Sequence, residues 1–483
     1  MNYRMLLYLL CVILLLEAAL LLVPLLVAVI YGESVLPFLI TIGVLAVIAV
    51  PGILQKPKNM KIYAKEGFVT VAASWLLMSA FGALPFVISG AIPNYIDAFF
   101  ETCSGFTTTG ASILRVIEGL PKGILFWRSF THWIGGMGVL VFMIAILPQG
   151  SHAIYLLRAE VPGPTKGKLV PKLRHTAIIL YGIYIVLTLT EVIALLIARL
   201  PLYDALVTSF GTAGTGGFSV LNDSIAGYHN PAAEWIIAVF MLIFGINFNL
   251  FFLLLIRKWR EVLKSEELRV YLSIAAAATA VVCIQTFKTS EGIEHCIRTS
   301  FFQVTSIVST SGFSTTDFNV WPSLTKALLV FLMFIGSCAG STAGGVKVSR
   351  IIIVFKNTVR EIRHMLHPRS VNTVRMDGEP VPEETVKSAV NYIALYLAVL
   401  IASVLFVSFD RFGFEGFSFE TNFSGVMACL NNIGPGFGHV GPAGNYADYS
   451  VFSKIILSFD MLFGRLEIMP MIILFSPVTW RKK

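Results

Sequence analysis

The chain has 483 residues, 56% of them hydrophobic and 13% charged, which excludes an ordinary water-soluble protein and places it in a lipid bilayer. Its formal net charge of +8 sits in short basic loops between apolar stretches, a topology signal with some attraction to anionic headgroups, and gives no support to nucleic-acid binding. The six cysteines, at 11, 103, 283, 296, 338 and 429, are scattered mostly within apolar segments and show neither a disulfide framework nor zinc-site spacing.

About 20 apolar residues are needed to cross roughly 30 Å of hydrocarbon. In chain order the candidate spans are Leu6 to Ile30, Val35 to Leu54, Phe68 to Ile88, Trp127 to Leu147 and Ile178 to Ala198. They continue with Trp235 to Ile256, Val270 to Phe287, Leu324 to Val354, Val390 to Val407 and Phe452 to Phe475. The first run is too long for the apolar region of a secretory signal and lacks a small-residue cleavage site, so it reads as a retained helix. Basic residues collect after every second span: Lys56 to Lys65, Arg158 to Arg174, Arg257 to Arg269, Arg350 to Arg369, and Arg481 to Lys483. Short basic loops stay cytoplasmic, which predicts a multi-pass plasma (inner) membrane protein with both termini inside.

Four polar, glycine-bearing hairpins interrupt this apolar sequence: CSGFTTTGAS around Gly110, GTAGTGGFS around Gly217, VSTSGFST around Gly312 and NNIGPGFG around Gly436. Each follows a hydrophobic stretch and a Phe-rich segment such as DAFFETCSGF or TSFFQVTSIV, and precedes a second hydrophobic stretch. Such repetition points to one supersecondary unit used four times. Non-helical backbone at membrane depth is tolerated only when buried in protein or lining a water-filled cavity. The expected architecture is all-α: an N-terminal helix hairpin (1–58), then four outer helix, pore helix, filter and inner helix repeats (59–160, 161–265, 266–366 and 367–483) around one pore. Backbone carbonyls at the hairpins would replace the hydration shell of a cation, and pore-helix carbonyl ends would add favourable field. For any one hairpin, such as Thr107 to Thr109, threonine bonding back to its own helix is the plainer reading; four aligned hairpins favour the pore.

These segments, with GSCAGSTAGGVK and FGRLE downstream, resemble the Trk/Ktr/HKT superfamily of potassium transporters over nearly the whole chain. The extra N-terminal helix pair resembles the Trk-type membrane subunit. The resemblance implies a channel-like potassium uptake protein, not an enzyme, usually a homodimer, regulated by a cytosolic TrkA-like ring. A nucleotide (NAD or ATP/ADP) would bind to that partner only; potassium is the substrate and no cofactor is expected in this chain. Carried over, the filter glycines are Gly110, Gly217, Gly312 and Gly436. Potassium would be coordinated just before them, at Thr108 and Thr109, Thr215 and Gly216, Thr310 and Ser311, and Gly434 and Pro435. Glycine at 110, where sodium-selective relatives carry serine, favours potassium over sodium; it does not bear on coupling, and a sodium-coupled potassium system of the same fold is the alternative. The unequal linings suggest a filter less strict than four identical loops.

A helix from Pro322 to Arg363 would be about 60 Å long, yet GSCAGSTAGG interrupts it, so a break is expected there. The run from Gly340 to Lys347 misses the phosphate-loop spacing by one residue and lies inside a membrane span. Small residues at membrane depth commonly serve helix packing; the resemblance instead makes Gly336 to Gly345, with Gly340, Ser341, Thr342 and Gly344, an intramembrane gating loop beneath the filter. Arg465 within the last span must face the interior and have a partner. Asp460 and Glu467 are off its helix face, and the resemblance places it at the gating loop as an electrostatic barrier. Glu17 and Glu191 also fall within spans without evident partners. His364 and His367 read as a solvated helix end, and the polar stretches Arg360 to Glu384, with turn chemistry in DGEP, and Arg158 to Arg174 as docking surfaces for the cytosolic ring.

Overall fold

A computed structural model describes residues 1–57, 59, 63–138, 173–370, 372–409 and 417–481. The basic stretch from Arg158 to Lys172 and the distal part of the fourth expected span lie outside the described residues. Helices α1 (Tyr3–Leu20) and α2 (Leu22–Ile30) continue as one 28-residue apolar span, interrupted where Pro24 removes a backbone donor, and pack against α3 (Leu36–Leu54).

The first repeat follows with α4 (Ala64–Gly82), α5 (Leu84–Ile88), α6 (Tyr95–Phe106) and α7 (Lys122–Gly136). The second has α8 (Leu173–Ile197), α9 (Leu202–Gly214), α10 (Pro231–Phe244) and α11 (Phe248–Leu255), and a short α12 (Trp259–Lys264) leads out of it. The third has α13 (Glu266–Thr286), α14 (Ile293–Val308), α15 (Ser323–Ile335) and α16 (Val348–Leu366). The fourth has α17 (Glu383–Ser408), α18 (Phe419–Leu430), α19 (Val451–Arg465) and α20 (Met469–Phe475), before a final turn, α21 (Pro477–Trp480).

The short helices α6, α9, α14 and α18 occupy the expected pore-helix positions, with α6 and α18 opened by side-chain caps from Asn94 and Ser418. Each packs against the inner helix of the preceding repeat: α9 on α7, α14 on α10, α18 on α15, and α6 on α19. The last pairing joins the fourth repeat to the first, so the four units close into a ring.

The structure breaks more of the ten expected spans than the one interruption the sequence anticipates. Among the described residues, six segments are long and apolar enough to cross a membrane, and a seventh if the pair α10 and α11, bent by 92°, counts as one span. The difference lies in the inner helices. The sequence predicts a break only in the third, yet the second is broken at 245–247, the third at 336–347 and the fourth at 466–468, where Glu467 and Ile468 take left-handed backbone. Helix α7 of the first repeat ends at Gly136, with Gly138 left-handed.

The polar stretch after α16 forms a two-residue antiparallel ladder, Arg375–Met376 against Glu379–Pro380. Asp377 and Gly378 both have positive φ, 53° and 84°, as a tight Asp-Gly hairpin turn requires.

Candidate functional site

Each pore helix ends in the same way. A residue just past the helix, the first after α9 and the second after α6, α14 and α18, adopts left-handed backbone: Thr108 (φ 56°), Thr215 (59°), Thr310 (57°) and Asn432 (54°). Its amide bonds the carbonyl three residues back, and the next amide reaches the carbonyl five back: Thr109 to Ser104 at 2.9 Å, Gly216 to Gly211 at 2.8 Å, Ser311 to Ser306 at 2.8 Å and Ile433 to Ala428 at 2.8 Å. The six-to-one bond is a Schellman termination, which ordinarily uses glycine at the left-handed position. Threonine there is a backbone outlier held by its surroundings, and such strain clusters at functional sites.

Two residues further, glycine takes positive φ in every repeat: Gly110 (79°), Gly217 (78°), Gly312 (78°) and Gly434 (98°). A Cβ at Gly110 would overlap the Gly216 carbonyl oxygen, at Gly217 that of Ser311, and at Gly312 that of Ile433; at Gly434 it would stand 2.7 Å from that of Thr109. Each glycine therefore abuts the residue preceding the next repeat's glycine, and four such steps return to the start.

This geometry corrects the fourth hairpin. Gly434, not Gly436, occupies the position of the other three glycines, and Asn432 and Ile433, not Gly434 and Pro435, correspond to Thr108 and Thr109. Gly436 has ordinary backbone, donates to the Val440 carbonyl at 2.7 Å and lies against Ser424. Pro435 is beside Gly312, 3.0 Å from where a Cβ would stand. Pairing Gly436-Phe437 with Gly217-Phe218 and Gly312-Phe313 misaligns the repeat, because the fourth hairpin has two extra residues between its ring glycine and its phenylalanine.

Several side chains that buttress the ring go beyond those the sequence singles out. Buried Glu101 on α6 pairs with Arg128 on α7 at 2.7 Å and accepts from the Ser112 hydroxyl and the Ile113 amide, both at 2.9 Å. Arg128 also donates to the Ser219 carbonyl at 2.9 Å and stacks 3.6 Å over Phe218, tying the first hairpin to the second. His132 contacts the Gly105 carbonyl through Nδ1 at 2.8 Å and accepts from the Phe218 amide at Nε2, which makes Nδ1 the protonated nitrogen. Tyr446 donates to the Gly434 carbonyl at 2.8 Å, and Asn432 donates to the Thr109 hydroxyl at 3.0 Å. Arg128 and His132 were legible as polar residues inside an apolar segment, FWRSFTHW.

The 336–347 loop lies on the pore-helix side of this ring. Gly336 and Gly345, both with positive φ, touch where the loop's ends meet; a Cβ on either would come within 2.7 to 2.9 Å of the other strand. The Gly344 amide donates to the Thr310 hydroxyl at 2.7 Å. The Cys338 amide donates to the Gly245 carbonyl at 3.1 Å, the Phe248 amide to the Gly340 carbonyl at 3.0 Å, and Thr342 Oγ1 to the Phe244 carbonyl at 3.3 Å, so the loop fills the bend between α10 and α11. Glu267, at the start of α13, accepts from the amides of Ala339 at 2.7 Å and Ser349 at 3.1 Å and so grips both sides of the loop. Ser341 bonds within the loop, to the Cys338 carbonyl at 2.7 Å, and the buried Lys347 ammonium caps the Ala343 carbonyl.

Arg465 joins three repeats. Its guanidinium donates to the Thr342 carbonyl at 2.7 Å and to the carbonyls of Gly135 at 2.5 Å and Gly136 at 2.7 Å, the C-terminal end of α7. A helix C-terminus carries about half a negative charge, which favours a cation there. The two acids considered as ion-pair partners are engaged elsewhere: Glu467 pairs with Arg350 at 2.6 Å, and Asp460 accepts from Ser403 at 2.6 Å. Glu17 and Glu191 are fully buried, and no hydrogen bond reaches their carboxylates among the described residues. His364 and His367 are exposed at the end of α16, and no group of three metal-ligating side chains occurs among the described residues. In the polar stretch, Arg360 pairs with Glu383 at 2.7 Å, and Lys356 reaches both Glu266 and the Arg375 carbonyl.

Residues 38–482 match the family model described as cation transport protein, TrkH. The chain is 38% identical to the Trk system potassium uptake protein TrkH of Salmonella typhimurium, covering 90% of each chain. It is 34% identical over the full length of both chains to the TrkH protein of Halomonas elongata. The crystal structure of the potassium transporter TrkH from Vibrio parahaemolyticus superposes with a TM-score of 0.88 at 32% identity, covering 100% of both chains.

Proposed function

Since the chain belongs to the TrkH family of cation transport proteins, we propose that it takes up potassium through the ring of four hairpins and that the 336–347 loop is its gate. The observation that carries this reading is the closure of the ring, in which four glycines each lean on the carbonyl-bearing residue of the next repeat. A potassium ion entering the ring exchanges water for backbone oxygens at Thr108 and Thr109, Thr215 and Gly216, Thr310 and Ser311, and Asn432 and Ile433. The C-terminal ends of four pore helices aim at the same point and favour a cation over an anion. No covalent chemistry is involved; the driving force is the membrane voltage, about 2.3 kcal/mol per charge per 100 mV.

The gate reading rests on the loop's place at the pore-helix ends and on the density of its bonds. The loop is short of apolar side chains and held chiefly by hydrogen bonds, which can be exchanged for water when it swings aside. Arg465 sets a positive charge across the same passage, so it both pins the loop and repels a descending cation. The inferred orientation puts both termini and the 348–384 segment in the cytoplasm of the cell, where a nucleotide-binding ring would dock on that segment and move the loop through α16. A homodimer is the expected assembly.

The test is rubidium uptake into liposomes holding the whole chain, driven by an imposed voltage and competed by potassium, sodium and lithium, with and without the cytosolic ring. Voltage-driven uptake blocked best by potassium is expected. Absence of uptake under both conditions, with the protein folded and correctly inserted, would overturn the pore.

A further inference from the structure

The thiols of Cys283 and Cys296 lie apart from the ring and the loop, at the end of the third repeat distant from Glu267. Cys283 is in the last turn of α13 and Cys296 in the first turn of α14, joined by the short connection through Phe287 to Gly292. Their sulfur atoms are 3.0 Å apart. Both are free thiols; Cys296 is fully buried and Cys283 is half-buried. The Cys296 thiol is held in place by the Cys283 carbonyl at 3.3 Å and the Thr286 hydroxyl at 3.7 Å. Two sulfurs so placed need move about 1 Å to reach bonding distance.

We propose that Cys283 and Cys296 are a covalent modification site, forming a disulfide that staples the outer helix of the third repeat to its pore helix. The accessible partner reacts first: the Cys283 thiolate attacks one sulfur of an external disulfide, breaking it and releasing one thiolate. The Cys296 thiolate then attacks the Cys283 sulfur of the mixed disulfide, the Cys283–Cys296 bond forms, and a second thiolate leaves. The two protons lost from the cysteines end on the two released thiols, and the external disulfide is the oxidant. This step rests on the orientation set by the basic loops, which places the α13–α14 connection on the outer, oxidising side of the membrane; it does not depend on which ion passes the pore.

The bond would close a short loop directly above α14, the helix that leads into Thr310 and Gly312. Cross-linking there restricts the unfolded chain and the fraying of the pore-helix start, while the ring itself is untouched.

The test uses the purified whole chain in lipid nanodiscs, incubated with oxidised glutathione, denatured, and labelled with a maleimide polymer that counts thiols. Of the six cysteines, four are expected to be labelled before reduction and all six after it, with a Cys283–Cys296 cross-linked peptide in the digest. Cys283→Ser should give five labels with or without reductant. Six labels before reduction would overturn the proposal. A second measurement traps thiols in intact cells with a permeant alkylating agent before lysis: the cross-linked peptide supports the disulfide, whereas two alkylated thiols overturn it as a feature of the protein in the cell. Oxidised protein should also melt several degrees above reduced protein, a difference that Cys283→Ser abolishes. Rubidium flux is scored separately, so failure of the staple and failure of the pore are distinguishable.

Discussion

The amide of Gly344 donates to the hydroxyl of Thr310 at 2.7 Å, so the loop that interrupts the third inner helix rests on a residue of the ring itself. Both groups are buried. Under the proposed gating role the contact would couple two states: with the loop seated, as here, the Thr310 hydroxyl is occupied as an acceptor, and a loop that moved aside would release that oxygen.

Thr310→Val keeps the side-chain shape and removes the acceptor. A buried amide left without a partner costs about 1–3 kcal/mol, charged against the seated loop alone. Since about 1.36 kcal/mol is tenfold, rubidium flux in the absence of any cytosolic partner should rise roughly five-fold to 150-fold, and Thr310→Ser should stay near the parent. Basal flux in liposomes at matched protein content reads this; a Val variant no leakier than Ser would show that the contact does not hold the gate.

Arg465 supports a second prediction because its three acceptors belong to two different repeats. Truncation to alanine removes a positive charge from what is proposed to be the passage and frees the loop at Thr342 and the end of α7 at Gly135 and Gly136. Arg465→Ala should therefore raise flux. Arg465→Lys should raise it less, since an ammonium keeps the charge but lacks the planar fork that spans carbonyls. Unchanged or lower flux in the alanine variant, at equal insertion, would remove the barrier role.

The Glu101–Arg128 pair predicts a fold effect. Breaking a buried ion pair by removing one member costs about 3–5 kcal/mol, while replacing both with apolar groups can be neutral. Arg128→Met should sharply lower the yield of folded protein and its melting temperature, and Glu101→Leu combined with Arg128→Met should recover much of the loss. Recovery will be incomplete, because Glu101 also accepts from Ser112 and Ile113 and Arg128 donates to Ser219. Melting followed by fluorescence-detected gel filtration measures both; full recovery would mean that those extra bonds contribute nothing.

Much of this was legible in sequence, for reasons that differ by element. Helix α3 of the N-terminal hairpin and the outer helices α8, α13 and α17 are exposed along most of their length and so read as long apolar runs. The hairpins at Thr108, Thr215 and Thr310 were legible because polar residues and glycine that break a helix at membrane depth are costly unless protein or a water-filled cavity surrounds them. The breaks in the second and fourth inner helices were not, because FGINFN and GRLEIM contain little that is helix-breaking. Their departure from helix is accompanied by tertiary bonds, Cys338 to the Gly245 carbonyl and Phe248 to the Gly340 carbonyl at the second helix's bend and Arg350 to Glu467 at the fourth's, which local propensity cannot register. Asn432 was hidden because it stands where the other repeats carry threonine, and asparagine suits left-handed backbone without any pore.

The fourth hairpin separates two glycines that the sequence alone could not rank. Gly434 has φ 98° and closes the ring against Thr109, whereas Gly436 has ordinary backbone and packs on Ser424 outside it. A side chain at 434 is strained by its backbone and pushes on the Thr109 carbonyl, moving oxygens that would hold the ion. Gly434→Ser should therefore reduce the preference for potassium over sodium, measured as the ratio of their competition constants against rubidium, in the same way as Gly312→Ser on the neighbouring repeat. A Cβ at 436 meets Ser424 at 2.9 Å, so Gly436→Ser should lower stability while leaving that ratio unchanged. If Gly436→Ser alters selectivity and Gly434→Ser does not, the ion contacts the fourth hairpin two residues later than the ring geometry places them.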